Sequence, residues 1–96
     1  MSPFQNNLTE RARQLTREFL AQNQQAQQNK SGFGHSSEQA LVMVTIELNR
    51  IAMHCQTVEE KRMVVEGFSQ GLTQLKWNAE EAARMVKGLE KQVLGS

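Results

Sequence analysis

Hydrophobic residues recur along this chain at the three- and four-residue intervals of amphipathic helices. The most apolar run covers residues 40–55 and is too long for a strand without a turn signal. One face of it, the central seam, repeats by three and four residues, and a second apolar row lies beside it. The central seam is Leu41, Val44, Leu48, Ile51 and Cys55, and the second row is Val42, Ile46 and Met53.

This wide stripe predicts a central helix that two neighbours cover. We expect the central seam to lie in the core or at an oligomer contact. The two helices predicted after residue 57 cover one row, and the other row meets either the N-terminal helix or a second copy of the chain. The pattern alone leaves both partners open.

Residues 2–20 predict a first amphipathic helix that begins at Ser2 with Pro3 or at Asn7. A Gln- and Asn-rich stretch and then Ser-Gly-Phe-Gly interrupt the apolar pattern, so residues 21–35 are expected to form a linker. The first helix would then be an arm. Its apolar face is Phe4, Leu8, Ala12, Leu15 and Phe19.

Three N-cap signatures divide the rest of the chain into helices. In each signature, a residue with a hydroxyl or amide side chain stands three positions before a Glu or Gln. Gly67 and Gly71 lie four residues apart within the second of these helices, where they predict either a close approach by a neighbouring helix or a helix end. The three pairs are Ser36 with Gln39, Thr57 with Glu60, and Asn78 with Glu81.

Together these patterns predict an all-α protein. Residues 1–20 form an N-terminal arm helix, residues 21–35 a polar linker, and residues 36–96 a compact three-helix core. A core of this size is near the limit at which oligomerisation helps stability, so a homodimer is expected.

Composition narrows the class of function. The chain has 96 residues and a formal net charge of +1, which removes the usual electrostatic case for nucleic-acid or anionic-membrane binding. It contains no apolar run of about 20 residues, so no transmembrane helix or other membrane partner is expected. The single cysteine excludes an internal disulfide and is typical of a reducing compartment, which predicts a cytoplasmic protein.

Residue types that carry chemistry form no recognisable set. His54 and Cys55, with His35, are the only candidates for a metal or nucleophilic site, but adjacent helical residues point about 100° apart. Cys55 lies on the apolar seam, where a free cysteine behaves as a small hydrophobe. No metal-binding spacing and no phosphate-binding loop completes a site. We therefore expect no enzyme, no metal and no cofactor.

A helix-turn-helix DNA-binding regulator is the alternative prediction, with the C-terminal helix as the reader. Arg84, Lys87 and Lys91 form a basic row there, but Glu80 and Glu81 occupy the first turn, where a recognition helix contacts bases. Residues 36–96 carry seven Lys and Arg against eight Glu. Nucleic acid is therefore a disfavoured partner.

The remaining prediction is a small helical protein that binds another protein, as an adaptor, a chaperone or a regulator. The arm or a hydrophobic groove would dock on the partner. If the arm binds, deleting residues 1–30 should leave the core folded. The predicted partner-binding residues are Phe4, Leu8, Leu15 and Phe19 on the arm, with Trp77 near the core surface.

Overall fold

Four α-helices follow one another in the computed structural model, which describes residues 3–28 and 36–95, with the side chains of residues 8–25, 36 and 38–95. The all-α prediction is confirmed over these residues. None of the helices described is both long and apolar enough to cross a bilayer. The helices are α1 (Pro3–Gln28), α2 (Ser37–Met53), α3 (Val58–Gln74) and α4 (Ala79–Leu94).

Both predicted capping boxes at the starts of α2 and α3 are confirmed. The Ser36 hydroxyl accepts a bond from the Gln39 N–H at 3.2 Å, and the Gln39 side chain accepts one from the Ser36 N–H at 3.4 Å. Thr57 and Glu60 make the same reciprocal pair at 3.1 and 3.2 Å. Each box satisfies backbone donors that the first turn of a helix leaves free.

The turn between α3 and α4 is a Schellman motif. The Trp77 N–H donates to the Leu72 carbonyl and the Lys76 N–H donates to the Thr73 carbonyl, each at 3.0 Å. Lys76 has φ 57°, the left-handed conformation that this motif requires and that glycine usually provides. The backbone therefore turns sharply before α4, and Trp77 follows the turn directly.

Only one of the two hydrogen bonds expected of a capping box forms at the start of α4. Asn78 Oδ1 accepts a bond from the Glu81 N–H at 3.0 Å, but the Glu81 carboxylate accepts from Trp77 Nε1 instead of from the cap backbone. The helix ends at Gly95, whose φ is 70° and whose N–H donates to the Lys91 carbonyl. Both ends of α4 are therefore satisfied locally.

The first helix differs from its prediction in length and in place. It continues past residue 20 to Gln28, because Gln and Ala favour helix and because Leu20 and Asn23 are buried against the other helices. Ala12 and Thr16 are buried as well. In place of an arm beside a three-helix core, α1 packs into a four-helix core with α2 and α3. Residues 29–35 of the predicted linker lie outside the described residues.

Gly67 and Gly71 mark the contact between α1 and α3. A Cβ placed on Gly67 would meet the Thr9 carbonyl oxygen and lie 2.6 Å from Ala12 Cβ, and one on Gly71 would lie 2.9 Å from Thr16 Cβ. Of the two predictions for these glycines, close approach is confirmed, since α3 continues to Gln74. The neighbouring helix at both glycines is α1.

Helices α2 and α3 each pack against the other three helices, whereas α1 and α4 make no contact with each other in the part of the chain described. The buried polar side chains are satisfied there, since no buried side-chain nitrogen or oxygen lacks a partner. Thr16, for example, donates to the Ala12 carbonyl at 2.7 Å. The buried apolar residues are Ala12, Leu20, Ala40, Leu41, Val44, Leu48, Ala52, Val64, Val65, Phe68, Leu72, Leu89 and Val93.

Candidate protein-binding surfaces

The central seam of α2 lies in the core. Leu41, Val44 and Leu48 are fully buried, and Ile51 and Cys55 are partly buried and pack against the same cluster. These residues hold α2 to its own neighbours, and Leu41, Val44 and Leu48 present no free surface to another molecule.

The second apolar row of α2 faces outward. Val42 is 45% exposed, Ile46 53% and Met53 76%, and Met43 beside them is 36% exposed. We call these four residues the α2 outer face. The sequence allowed either the N-terminal helix or a second copy of the chain to cover this row. The described part of α1 does not cover it.

The predicted arm residues belong to the bundle. Leu8, Leu15 and Phe19 are partly buried and pack against the core. Leu15 and Phe19 also border a shallow depression on α1 whose other lining residues are polar. The Phe4 side chain lies outside the described residues. The three described side chains therefore turn much of their apolar surface inward.

Helices α3 and α4 enclose a groove made of two adjoining depressions of about 570 and about 410 Å³. Ser69, Val86 and Glu90 line both depressions, so the groove is continuous along the helix pair. Arg62, Glu66, Lys87 and Glu90 place charges of both signs along it. The α3–α4 groove is lined chiefly by small or aliphatic residues and Trp77: Ser69, Thr73, Trp77, Ala82, Ala83 and Val86.

Trp77 lies at the end of this groove nearest the α3–α4 turn. Its indole is half-buried, and its Nε1 donates to Glu81 Oε1 at 3.0 Å. The Schellman motif fixes its backbone, and the bond to Glu81 fixes its ring. Trp77 also packs against the core, so the part of its ring that lines the groove is held in place with little side-chain entropy left to lose on binding.

Two of the candidate reactive residues, His54 and Cys55, lie among the described residues. Cys55 Sγ donates to the Ile51 carbonyl at 3.5 Å, and burial, with the Glu60 carboxylate next, raises the pKa of the thiol, while Lys61 opposes the shift. His54 caps α2 and is exposed, and His35 lies outside the described residues. No group of three or more potential metal ligands occurs in the described part of the chain.

The basic row of the DNA-binding alternative is at the surface, with Arg84, Lys87 and Lys91 exposed on α4. At the start of the same helix, Glu80 is exposed and Glu81 bonds to Trp77. Glu80 and Glu81 therefore put negative charge in the first turn of α4, where a DNA phosphate or base edge would have to approach.

Trp77, predicted from the sequence as a partner-binding residue, lies in this groove, and the other lining residues were not predicted. The available signal was the set of small residues Ala79, Ala82 and Ala83 on one side of α4, with Ser69 and Thr73 on α3. Small residues of this kind allow another backbone to approach closely. Comparison with protein-family models, with curated proteins and with solved structures finds no match to this chain.

Proposed function

We propose that this chain is a non-enzymatic protein-binding module that receives an amphipathic helix of a partner protein in the α3–α4 groove. The observation that carries the proposal is the groove itself, a continuous depression lined by small, aliphatic and charged side chains, with Trp77 fixed at one end. Grooves of this composition between two helices suit helix-in-groove recognition.

The size of the groove favours a helix as the occupant. Helix α4 has 16 residues and is therefore about 24 Å long, so a partner helix of four or more turns can lie along it. Ala82 and Ala83 let that helix approach closely, and Val86 offers an apolar contact at the centre. The partner helix would carry aliphatic residues at intervals of three and four.

Charges around the groove orient the partner. Glu66 and Glu90 provide two negative positions, and Arg62 and Lys87 provide two positive ones. Because both signs are present, a partner helix with complementary charges on its flanks is selected over one with a uniform charge. Trp77 would be the main anchor, since buried tryptophans dominate the binding free energy of many interfaces.

In this proposal the protein acts stoichiometrically, as an adaptor, a chaperone or a regulator, by holding a helix of its partner. The groove replaces the N-terminal arm as the preferred docking element, because two helices line the groove, whereas Leu15 and Phe19 border only a shallow depression on α1. No catalytic step is part of the proposal.

Affinity capture from the native host with three forms of the protein tests it: wild type, Ala83→Arg and Gln92→Arg. Ala83 lines the groove and is exposed, so an arginine there blocks docking without unfolding the chain. Gln92 is exposed on α4 away from the groove and receives the same side chain as a control. We expect a partner that wild type and Gln92→Arg retain and Ala83→Arg loses. Capture that Ala83→Arg leaves unchanged would overturn the proposal.

A DNA column at low salt distinguishes the proposal from the DNA-binding alternative. A protein that binds through helix docking passes through such a column. Retention that weakens steeply as salt is added, and that is lost in Lys87→Ala and Lys91→Ala, would favour the DNA-binding regulator instead.

A further inference from the structure

The α2 outer face has features that the α3–α4 groove does not account for. Val42, Ile46 and Met53 follow one another at intervals of four and seven residues, so they point to one side of the helix. All three are large apolar residues and about half exposed or more. Exposed apolar side chains grouped on one side of a helix are typical of an interaction surface.

We infer that the α2 outer face pairs with the same face of a second copy of the chain. The two α2 helices lie antiparallel, with a two-fold axis beside Ile46 and Glu47. This contact uses a surface separate from the α3–α4 groove, so the dimer and the proposed function stand or fall independently.

The α2 outer face is complementary to itself under this rotation. Met53 protrudes at its C-terminal end and is the most exposed large apolar side chain described. At its N-terminal end, Val42 and Met43 line a shallow depression of about 480 Å³ together with Glu38 and Gln39. The depression and Met53 lie on opposite sides of the proposed axis, each a little under two turns away. The rotation therefore sets each Met53 into the partner copy's depression.

A parallel pairing lacks this fit. It would place Met53 against Met53 and leave the two depressions facing each other. Antiparallel pairing fills both depressions with a flexible thioether side chain, which adapts well to irregular apolar gaps. A two-fold contact of one patch with itself is also the commonest arrangement of homodimers.

Charges next to the axis are compatible with the contact. Glu47 and Arg50 form an ion pair at 3.5 Å within each copy. The rotation brings each Arg50 about one turn from the partner copy's Glu47 as well as from its own. The Glu47 carboxylates of both copies lie near the axis, and the ion pair with Arg50 offsets the charge of each.

The length of α2 limits the surface area that the two copies can bury. Helix α2 has 17 residues and is about 25 Å long, so one helix pair forms a contact at the small end of the specific interfaces, below about 1,200 Å² in total. The dimer is therefore weak and reversible, and its population rises with protein concentration.

Sedimentation equilibrium over a range of protein concentrations measures the association, with Ile46→Glu and Gln92→Glu as matched variants. We expect the mean mass of wild type and Gln92→Glu to rise from 10.9 kDa toward twice that value as concentration increases. Ile46→Glu replaces the apolar contact at the axis with two further carboxylates beside those of Glu47, so it should keep the monomer mass. Ile46 is half exposed, and unchanged circular dichroism will show that the variant is folded. A wild-type protein that stays monomeric throughout would overturn the inference.

Disulfide crosslinking tests the antiparallel arrangement. Val42→Cys and Met53→Cys are made separately in a Cys55→Ser background, which removes the natural thiol. Antiparallel pairing predicts that a mixture of the two variants gives mainly the mixed crosslinked dimer, and that each variant alone gives little. Efficient crosslinking of either variant with itself would overturn the arrangement, because those positions lie on opposite sides of the axis.

Discussion

An ideal Cβ placed on Gly67 would lie 2.6 Å from the Cβ of Ala12, closer than two such atoms come in folded proteins. Helices α1 and α3 therefore touch backbone to backbone at this point. The contact explains why a glycine occupies the interior of a helix, where it costs about 1 kcal/mol relative to alanine. It also fixes the N-terminal helix in the bundle.

Substituting the glycines of α3 and α4 separates close approach from helix propensity. Gly67→Ala should lower the free energy of unfolding by about 1–3 kcal/mol, because the new methyl group overpacks the α1–α3 contact. Gly88→Ala should raise it by about 0.4–1 kcal/mol, since nothing lies within 4 Å of a Cβ there. Urea unfolding of both variants gives the two values. A stabilising Gly67→Ala would contradict the close contact.

Lys76 occupies a position at which glycine is preferred. Its φ of 57° costs a residue with a Cβ about 1–2 kcal/mol. Lys76→Gly should therefore raise the free energy of unfolding by about 1 kcal/mol or less, after the entropy of glycine in the unfolded chain is counted. Lys76→Ala is the control, because it removes the charge but keeps the Cβ. Equal effects from Gly and Ala would show that the backbone conformation is not the cause.

The burial of α1 predicts the effect of removing it. Leu20 is almost fully buried, so Leu20→Ala should cost about 2–5 kcal/mol of stability. Leu15→Ala, at a partly exposed position, should cost less. Deleting residues 1–30 should abolish cooperative unfolding, because it uncovers the face of α3 that carries Gly67 and Gly71. A fragment of residues 36–96 that unfolds cooperatively in urea would restore the separate-arm prediction.

The thiol of Cys55 should react slowly. Burial, followed by the charge of Glu60, raises its pKa, so less thiolate is present at a given pH than in the unfolded chain. Glu60→Gln keeps an oxygen to accept from the Thr57 N–H and removes the negative charge, so it should speed alkylation by iodoacetamide. Lys61→Met should slow it. Rates measured against pH for the three proteins test the order, and an unchanged profile in Glu60→Gln would contradict it.

The same shift sets a pH dependence of stability. Because the folded pKa of Cys55 lies above the unfolded pKa, the unfolded chain loses its proton first as the pH rises. The stability is unaffected by this group at neutral pH. It falls as the pH rises from the unfolded pKa through the folded one. In thermal melts of wild type and Cys55→Ala from pH 7 to pH 10, the difference between the two melting temperatures should stay constant near neutral pH and change only in the alkaline range.

The starts of α2 and α3 could be predicted because their signals are local. Ser36 with Gln39 and Thr57 with Glu60 fix the first turns through bonds that span three residues. The end of α1 could not be predicted in this way, since its Gln- and Asn-rich stretch suits a helix or a linker. Burial of Asn23, three residues beyond the predicted end, favours the helix.

The candidate binding surfaces could be predicted only in part. The two apolar rows of α2 were visible, but which row is covered depends on the packing of α1, α3 and α4. The α3–α4 groove depends on small residues such as Ala82 and Ala83, which carry no chemical signature in the sequence. Their role appears only when the fold places them opposite Ser69 and Thr73.

Photo-crosslinking measures most directly whether the α3–α4 groove holds a partner helix. A benzophenone amino acid replaces Lys87, which lines the groove, and in a second protein Gln92, which is exposed elsewhere on α4. After capture from the native host and illumination, we expect an adduct from position 87 and none from position 92. The crosslinked peptide should have apolar residues at intervals of three and four. Adducts that form equally from both positions, or from position 92 alone, would contradict docking in the groove.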